Sequence, residues 1–86
     1  MEPTIGRIVI VKGAIRSNGS DEHPAIINAV HNPHSYPDRG QAGYINAMVF
    51  PDGGVPACVT RLHFFDSRKD AAKSGHERVA FWPDRL

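Results

Sequence analysis

Arginine and aromatic side chains are the residues whose chemistry points most clearly to a ligand. Arg7 belongs to the first apolar stretch, Arg16 to a polar segment, and Arg61 to an otherwise apolar stretch, while Tyr36 and Tyr44 offer flat rings. Arginine pairs with phosphate oxygens and stacks on aromatic faces. We therefore expect the three arginines to hold the phosphates of a small anionic nucleotide and either tyrosine to stack on its base. The alternative is that the arginines are ordinary surface charges.

Five histidines and one cysteine raise the question of a metal site or a nucleophile. His31 and His34 are three residues apart, but zinc sites usually combine two such close pairs. His63 and His76 each stand alone in the sequence. Cys58 lies in an alternating stretch, where we expect it to be buried and inert. The sequence therefore predicts no metal site, no cofactor and no catalytic residue.

Length and composition exclude several classes of protein. The 86 residues suit one domain, residues 1–86, whose small core favours a homo-oligomer. Ten basic and nine acidic residues give a net charge of +1, which makes nucleic-acid binding a poor fit. One cysteine excludes an internal disulfide and favours a reducing cytoplasm. We find neither a signal-peptide pattern nor the roughly 20 consecutive apolar residues that cross a bilayer, so we expect a cytoplasmic protein without a membrane partner.

Short apolar runs separated by turn-forming residues predict a mainly β protein. The predicted strands cover residues 5–11, 25–31, 44–50, 55–64 and 79–82. Residues 66–73 are the one helical candidate, with Asp66 or Ser67 as its cap, and we expect at most one short helical turn there. This order of elements predicts a small, half-open, five-stranded SH3-like barrel, with an OB-like barrel as the alternative.

Turn chemistry adds local predictions. Residues 13–23 are polar and contain glycine, so we expect a loop there, with a tight turn at Asn18-Gly19 because both residues tolerate positive φ. Pro24 then stands at the start of the second strand. Residues 51–54, Pro-Asp-Gly-Gly, predict a hairpin in which Gly53 or Gly54 has a positive φ. We expect Trp82 to pack beside the core against the first strand.

Four short motifs follow one another along nearly the whole chain. They are Thr4-Ile5-Gly6-Arg7-Ile8-Val9, His23-Pro24-Ala25-Ile26-Ile27, Val49-Phe50-Pro51-Asp52-Gly53-Gly54 and Phe81-Trp82-Pro83. In these motifs the chain resembles a family of small proteins encoded by bacteriophages and by bacteria that carry prophages. Members of that family close on Trp-x-Trp-Pro, whereas this chain has Ala80 in place of the first tryptophan. The resemblance implies a phage context rather than a particular activity.

The resemblance and the arginines together lead to a functional hypothesis. Small phage proteins of this size are commonly accessory or counter-defence factors. We therefore expect a non-enzymatic, oligomeric binding protein that sequesters a cyclic nucleotide immune signal between protomers in the host cytoplasm. The alternative is a protein-interaction module that binds a host or phage protein through a sheet edge or through the region of Trp82. A structural or nucleic-acid-associated phage protein is a third possibility.

Overall fold

Five strands and one helix form a closed barrel in a computed structural model that describes residues 3–31 and 41–83. The elements are β1 (Ile8–Ser17), β2 (Ser20–His31), β3 (Gln41–Val49), β4 (Ala57–Phe65), α1 (Arg68–Ser74) and β5 (Val79–Phe81). The predicted mainly β, five-stranded barrel is confirmed. It is closed rather than half-open, because β5 pairs with both β4 and β1.

Consecutive strands are neighbours all the way around the barrel. Strands β1 to β4 pair antiparallel in order, and β5 then lies parallel to β4 and antiparallel to β1. An OB fold is a Greek-key barrel, so this simple order favours the SH3-like interpretation. Closure is limited in extent, because β5 pairs only with residues 63–65 of β4 and residues 10–12 of β1.

Two apolar clusters stabilise the fold, one inside the barrel and one under the helix. The interior cluster consists of Val9, Val11, Ala25, Ile27, Ile45, Ala47, Val49, Leu62, Phe64 and Ala80. The second cluster lies on the outside of the barrel, where α1 covers Phe65, Val79 and Phe81 with its buried Ala71. The helix therefore holds β4 and β5 together from outside.

The first hairpin is longer than the sequence predicted. Residues 13–17 continue β1 and residues 20–23 begin β2, so the predicted loop at residues 13–23 is wrong. The predicted turn is confirmed, with φ values of 52° at Asn18 and 81° at Gly19. Pro24 lies inside β2 rather than at its start. The Pro24 carbonyl accepts a hydrogen bond from Phe50 N–H, one residue beyond the end of β3. The N–H that proline lacks therefore falls at the end of the β2–β3 hydrogen-bond ladder, where its loss is tolerated.

A turn at residues 51–54 confirms the predicted glycine conformation. Gly53 has a φ of 70°, and Gly54 N–H donates to the Pro51 carbonyl at 3.2 Å. The whole connection covers residues 50–56, so β4 begins at Ala57 rather than at residue 55. Asp52 joins this turn to the first hairpin, since its carbonyl accepts from Ser17 Oγ at 2.9 Å and its carboxylate from Asn18 Nδ2 at 3.0 Å.

The helix and Trp82 complete the outer packing. Ser67 caps α1, its Oγ accepting from Asp70 N–H at 3.1 Å, and the seven-residue helix exceeds the single turn expected from sequence. Trp82 packs beside the barrel core as predicted, edge-on to Phe64 with ring centroids 5.1 Å apart. Within the described ranges, no helix has the length and apolar character needed to span a membrane.

Candidate ligand-binding site

A β-bulge in β4 sets the position of Arg61. The β3–β4 register pairs Ile45 with Leu62 but Ala47 with Val59, so two residues of β4, Thr60 and Arg61, lie opposite Asn46 alone. Arg61 has a φ of 56°, and its N–H donates to the Asn46 side-chain carbonyl at 2.9 Å. A left-handed backbone costs a non-glycine residue about 1–2 kcal/mol. The fold therefore holds Arg61 in a strained conformation that turns its side chain to the exterior.

Three rings line up beside the bulge. Tyr44 of β3 and His63 of β4 are register partners with ring centroids 4.6 Å apart. His76 lies after α1 and stacks on His63 at 3.7 Å with only 9° between the ring planes. Gly75 makes this return possible, because its φ of 79° ends the helix and turns the chain back towards β4.

Arg78 links the segment after the helix to the bulge. Its Nη2 donates to the Thr60 carbonyl at 2.7 Å. Between this segment and β4 lies a shallow surface depression of about 340 Å³, which we call the basic cavity. Its lining residues are Arg61, His63, Gly75, His76, Glu77 and Arg78. The Arg61 guanidinium contacts no hydrogen-bond or ion-pair partner within residues 3–31 and 41–83.

Gly13 supports the cavity from behind. A Cβ at this position would lie 1.7 Å from the carbonyl oxygen of Glu77, far inside contact distance, and the φ of Gly13 is 86°. Only glycine lets the segment after the helix approach β1 this closely. Gly13 therefore sets the distance between β1 and the backbone of Glu77, and with it the position of the neighbouring residues His76 and Arg78.

The charges of the basic cavity favour an anion. Two arginine guanidinium groups outnumber one carboxylate, that of Glu77, and the two imidazole rings lie beside them. Guanidinium groups form paired hydrogen bonds with phosphate or carboxylate oxygens. The Arg61 guanidinium would not have to break a contact with another described residue to bind such an anion. The stacked rings add flat surface next to these donors, which suits a ligand that carries both an anionic group and a ring.

The sequence-predicted site residues occupy different places. Tyr44 and Arg61 flank His63 on one outer surface. Arg7 lies with its guanidinium carbon 5.5 Å from the centre of the Trp82 ring, and Arg16 is exposed on β1. Neither of these two arginines lines the basic cavity. Tyr36 lies outside the described residues.

Sequence reasoning did not single out His63, His76 or Arg78 as site residues. Alternation could have placed His63 on the outer face, because it lies between the buried Leu62 and Phe64. No local sequence pattern predicts the stacking of His76 on His63. This contact depends on the direction that the chain takes towards β4 after the helix ends. Arg78 acts through a carbonyl of the bulge, and the bulge itself has no sequence signal.

Cys58 is exposed, contrary to the expectation that it is buried. Its register partner Met48 alternates with the buried Ala47 and Val49, so both side chains point outwards. His63 stacks on His76 and is not paired with this thiol. In the part of the chain that the structure describes, no three His, Cys, Asp or Glu side chains converge on a possible metal position.

Comparison with known proteins gives no match for this chain among family models, curated proteins or solved structures. The resemblance to small phage proteins therefore stays a prediction. The functional interpretation therefore depends on the geometry of the basic cavity.

Proposed function

We propose that this chain is a non-enzymatic binding protein that captures a small phosphate-bearing anion in the basic cavity. The observation that carries the proposal is the Arg61 side chain, which has no partner among the described residues and stands on a strained backbone. Strain of this kind persists only where the surrounding structure imposes it, and it concentrates at ligand sites.

Neighbouring groups support an anion rather than a cation at this position. Arg78 uses Nη2 on the Thr60 carbonyl, which leaves its other donors for a ligand. Phosphate oxygens accept hydrogen bonds from guanidinium forks in fixed planar geometry. Two arginines at one cavity thus supply several donors for the oxygens of a phosphate.

The biological setting that we propose follows from the resemblance to phage proteins. A phage accessory protein in the cytoplasm of its host could act as a counter-defence sponge, holding a cyclic nucleotide immune signal and withdrawing it from its receptor. Sequestration requires binding without chemistry, which fits a cavity built from arginines and stacked rings.

A protein-interaction module is the second candidate, and one observation favours it. Ile8, Ile26, Met48 and Cys58 are successive register partners that form an apolar row across the outer face of four strands. Ile8 is 60% exposed and Ile26 40% exposed. A host protein or a second copy in the proposed homo-oligomer would pack on this row.

Isothermal titration separates the two candidates. We expect the wild type to bind pyrophosphate or members of a panel of cyclic di- and trinucleotides, and Arg61→Ala to weaken that binding at least tenfold. Arg16→Ala is the matched control, since it removes the same charge from an exposed position outside the cavity. No binding of any phosphate compound by the wild type would overturn the anion proposal and leave the apolar row as the better candidate.

A further inference from the structure

A second cavity lies on the other side of the segment after the helix. Its volume is about 450 Å³, within the range of about 300–1,000 Å³ that is usual for small-molecule sites. We call it the helix cavity; it is lined by Lys12, Glu22, Arg68, Ala71, Ala72, His76, Glu77, Val79 and Phe81. Its floor is apolar and its rim is charged, an arrangement that suits a flat ring with polar edges.

The charges on one side of the helix cavity are already paired. Arg68 donates to both carboxylate oxygens of Glu22 at 2.6 Å, and Lys12 lies 3.5 Å from Glu22 and 3.3 Å from Asp21. The hydrogen bond from Arg68 holds the pKa of Glu22 below its usual range. This side of the cavity therefore acts as a fixed wall between β1, β2 and α1.

Glu77 carries the carboxylate of the helix cavity that is not paired with another described side chain. Within the described ranges, no side chain hydrogen-bonds or ion-pairs with its carboxylate. An ionised carboxylate is an acceptor only, with two oxygens that can each take an N–H donor. Gly13 fixes the backbone of Glu77 through the close approach to its carbonyl. The Glu77 side chain is exposed at the rim, where its acceptors are available to a ligand.

His76 and Glu77 line both cavities, so these two residues form the boundary between the two spaces. One face of the His76 ring is covered by His63, on the side of the basic cavity. A ligand that placed phosphate against Arg61 and Arg78 would therefore extend its remaining atoms across Glu77 towards the apolar floor of the helix cavity.

We infer that the ligand is a guanine nucleotide, with its phosphates in the basic cavity and its base in the helix cavity. This inference rests on the proposed function, since it uses the same phosphate site. Guanine presents two adjacent N–H donors, at N1 and at the exocyclic amine, which match the two oxygens of the Glu77 carboxylate. Adenine and uracil each interrupt that pair with an acceptor, so the carboxylate discriminates against them.

Titration with pyrophosphate, guanosine diphosphate, inosine diphosphate and uridine diphosphate tests the inference. Inosine lacks the exocyclic amine and so removes one donor of the pair. Hydrogen bonds to a charged group support an expected advantage of about tenfold or more for guanosine diphosphate over each other compound. We expect Glu77→Gln to abolish that advantage while pyrophosphate binding is kept, which also shows that the variant is folded.

Two further variants complete the test. Ala72→Leu fills the helix cavity from an exposed helix position that tolerates leucine, and we expect it to remove the guanine advantage as well. Asp66→Asn is the control for Glu77→Gln, because it removes the same charge from an exposed residue that lines neither cavity. It should leave all four affinities unchanged.

The outcomes distinguish the inference from the function on which it rests. Equal binding of pyrophosphate and guanosine diphosphate would overturn the guanine inference and leave the phosphate site standing. A guanine advantage that survives both Glu77→Gln and Ala72→Leu would also overturn it, because the base would then lie elsewhere. Failure of all four compounds to bind the wild type would overturn both proposals.

Discussion

The two outer faces of this barrel are built differently. On the apolar row, Ile8, Ile26, Met48 and Cys58 follow the one-to-one register of four strands. On the face of the basic cavity, that regularity breaks at the bulge of Arg61 and at the close approach of Gly13 to the chain after the helix. A strained backbone costs free energy and persists only where the surrounding structure imposes it.

The irregularities on the face of the basic cavity position hydrogen-bond donors. The bulge turns Arg61 outwards, and Arg78 holds the bulge carbonyl of Thr60 at 2.7 Å. Gly13 sets the distance between β1 and Glu77. The bulge of Arg61 and the close approach of Gly13 position side chains of the basic cavity or their neighbours, so this face is the one on which we place the ligand.

Gly13→Ala should give the largest loss of stability. The added Cβ would lie 1.7 Å from the Glu77 carbonyl oxygen, and the φ of 86° is unfavourable for alanine, so we expect a loss of about 3 kcal/mol or more in the free energy of unfolding. Urea denaturation measures it. Gly19→Ala is the control, since its φ is 81° but nothing lies within 4 Å of the new Cβ, and it should cost only about 1 kcal/mol. Equal losses would show that the close approach has no energetic role.

Trp82→Ala should be the next most damaging change. The indole packs against Phe64 at 5.1 Å and lies beneath Arg7, so truncation removes a large apolar contact at one end of the barrel. We expect a loss of about 3 kcal/mol, seen as a lower melting temperature. Arg7→Ala should cost less, about 1 kcal/mol or below. An unchanged melting temperature in Trp82→Ala would contradict this packing.

Substitutions at Arg61 separate strain from binding. Arg61→Gly relieves the left-handed backbone, whereas Arg61→Ala keeps it, so the glycine variant should be more stable by about 1 kcal/mol. Both variants should lose phosphate binding equally, because both lack the guanidinium. If alanine proves as stable as glycine, the backbone at this position is not strained and the contrast between the two faces weakens.

Glu22→Gln should have the smallest effect, and its effect should depend on pH. Arg68 lowers the pKa of Glu22 in the folded state, so the ionised carboxylate stabilises the fold above its unfolded pKa. That contribution is lost as the pH falls through the lowered folded pKa. Both partners are partly exposed, which limits the gain to about 1 kcal/mol. Urea midpoints of wild type and variant should differ at pH 7 and converge as the pH falls below the lowered folded pKa; a constant gap would contradict the assignment.

Sequence alone predicted the regular parts of the molecule. Short apolar runs between turn-forming residues located the strands, and turn chemistry located Asn18-Gly19 and the positive φ of Gly53, because these are local properties of the chain. The segment around Gly13 was mistaken for a loop, since the glycine that permits close packing also suits a turn. Local pattern cannot distinguish these two uses of glycine.

The candidate site was less accessible to sequence reasoning for the same physical reason. Arg61 was chosen from the sequence as a phosphate ligand, but the bulge that exposes it depends on Asn46 across the strand pair. The contact of His76 with His63 and that of Arg78 with Thr60 join residues far apart in the chain. Such contacts follow from tertiary packing, which no local pattern encodes.

The most direct test of the phosphate site is a nuclear magnetic resonance titration of the ¹⁵N-labelled protein with pyrophosphate. The backbone amides of residues 60–63 and 75–78 surround the basic cavity, and we expect their signals to shift together with one saturating affinity. The amides of Arg7 and Arg16 should remain unchanged. Shifts confined to the surroundings of those two arginines, or no saturable shift anywhere, would contradict the placement of an anion site beside Arg61.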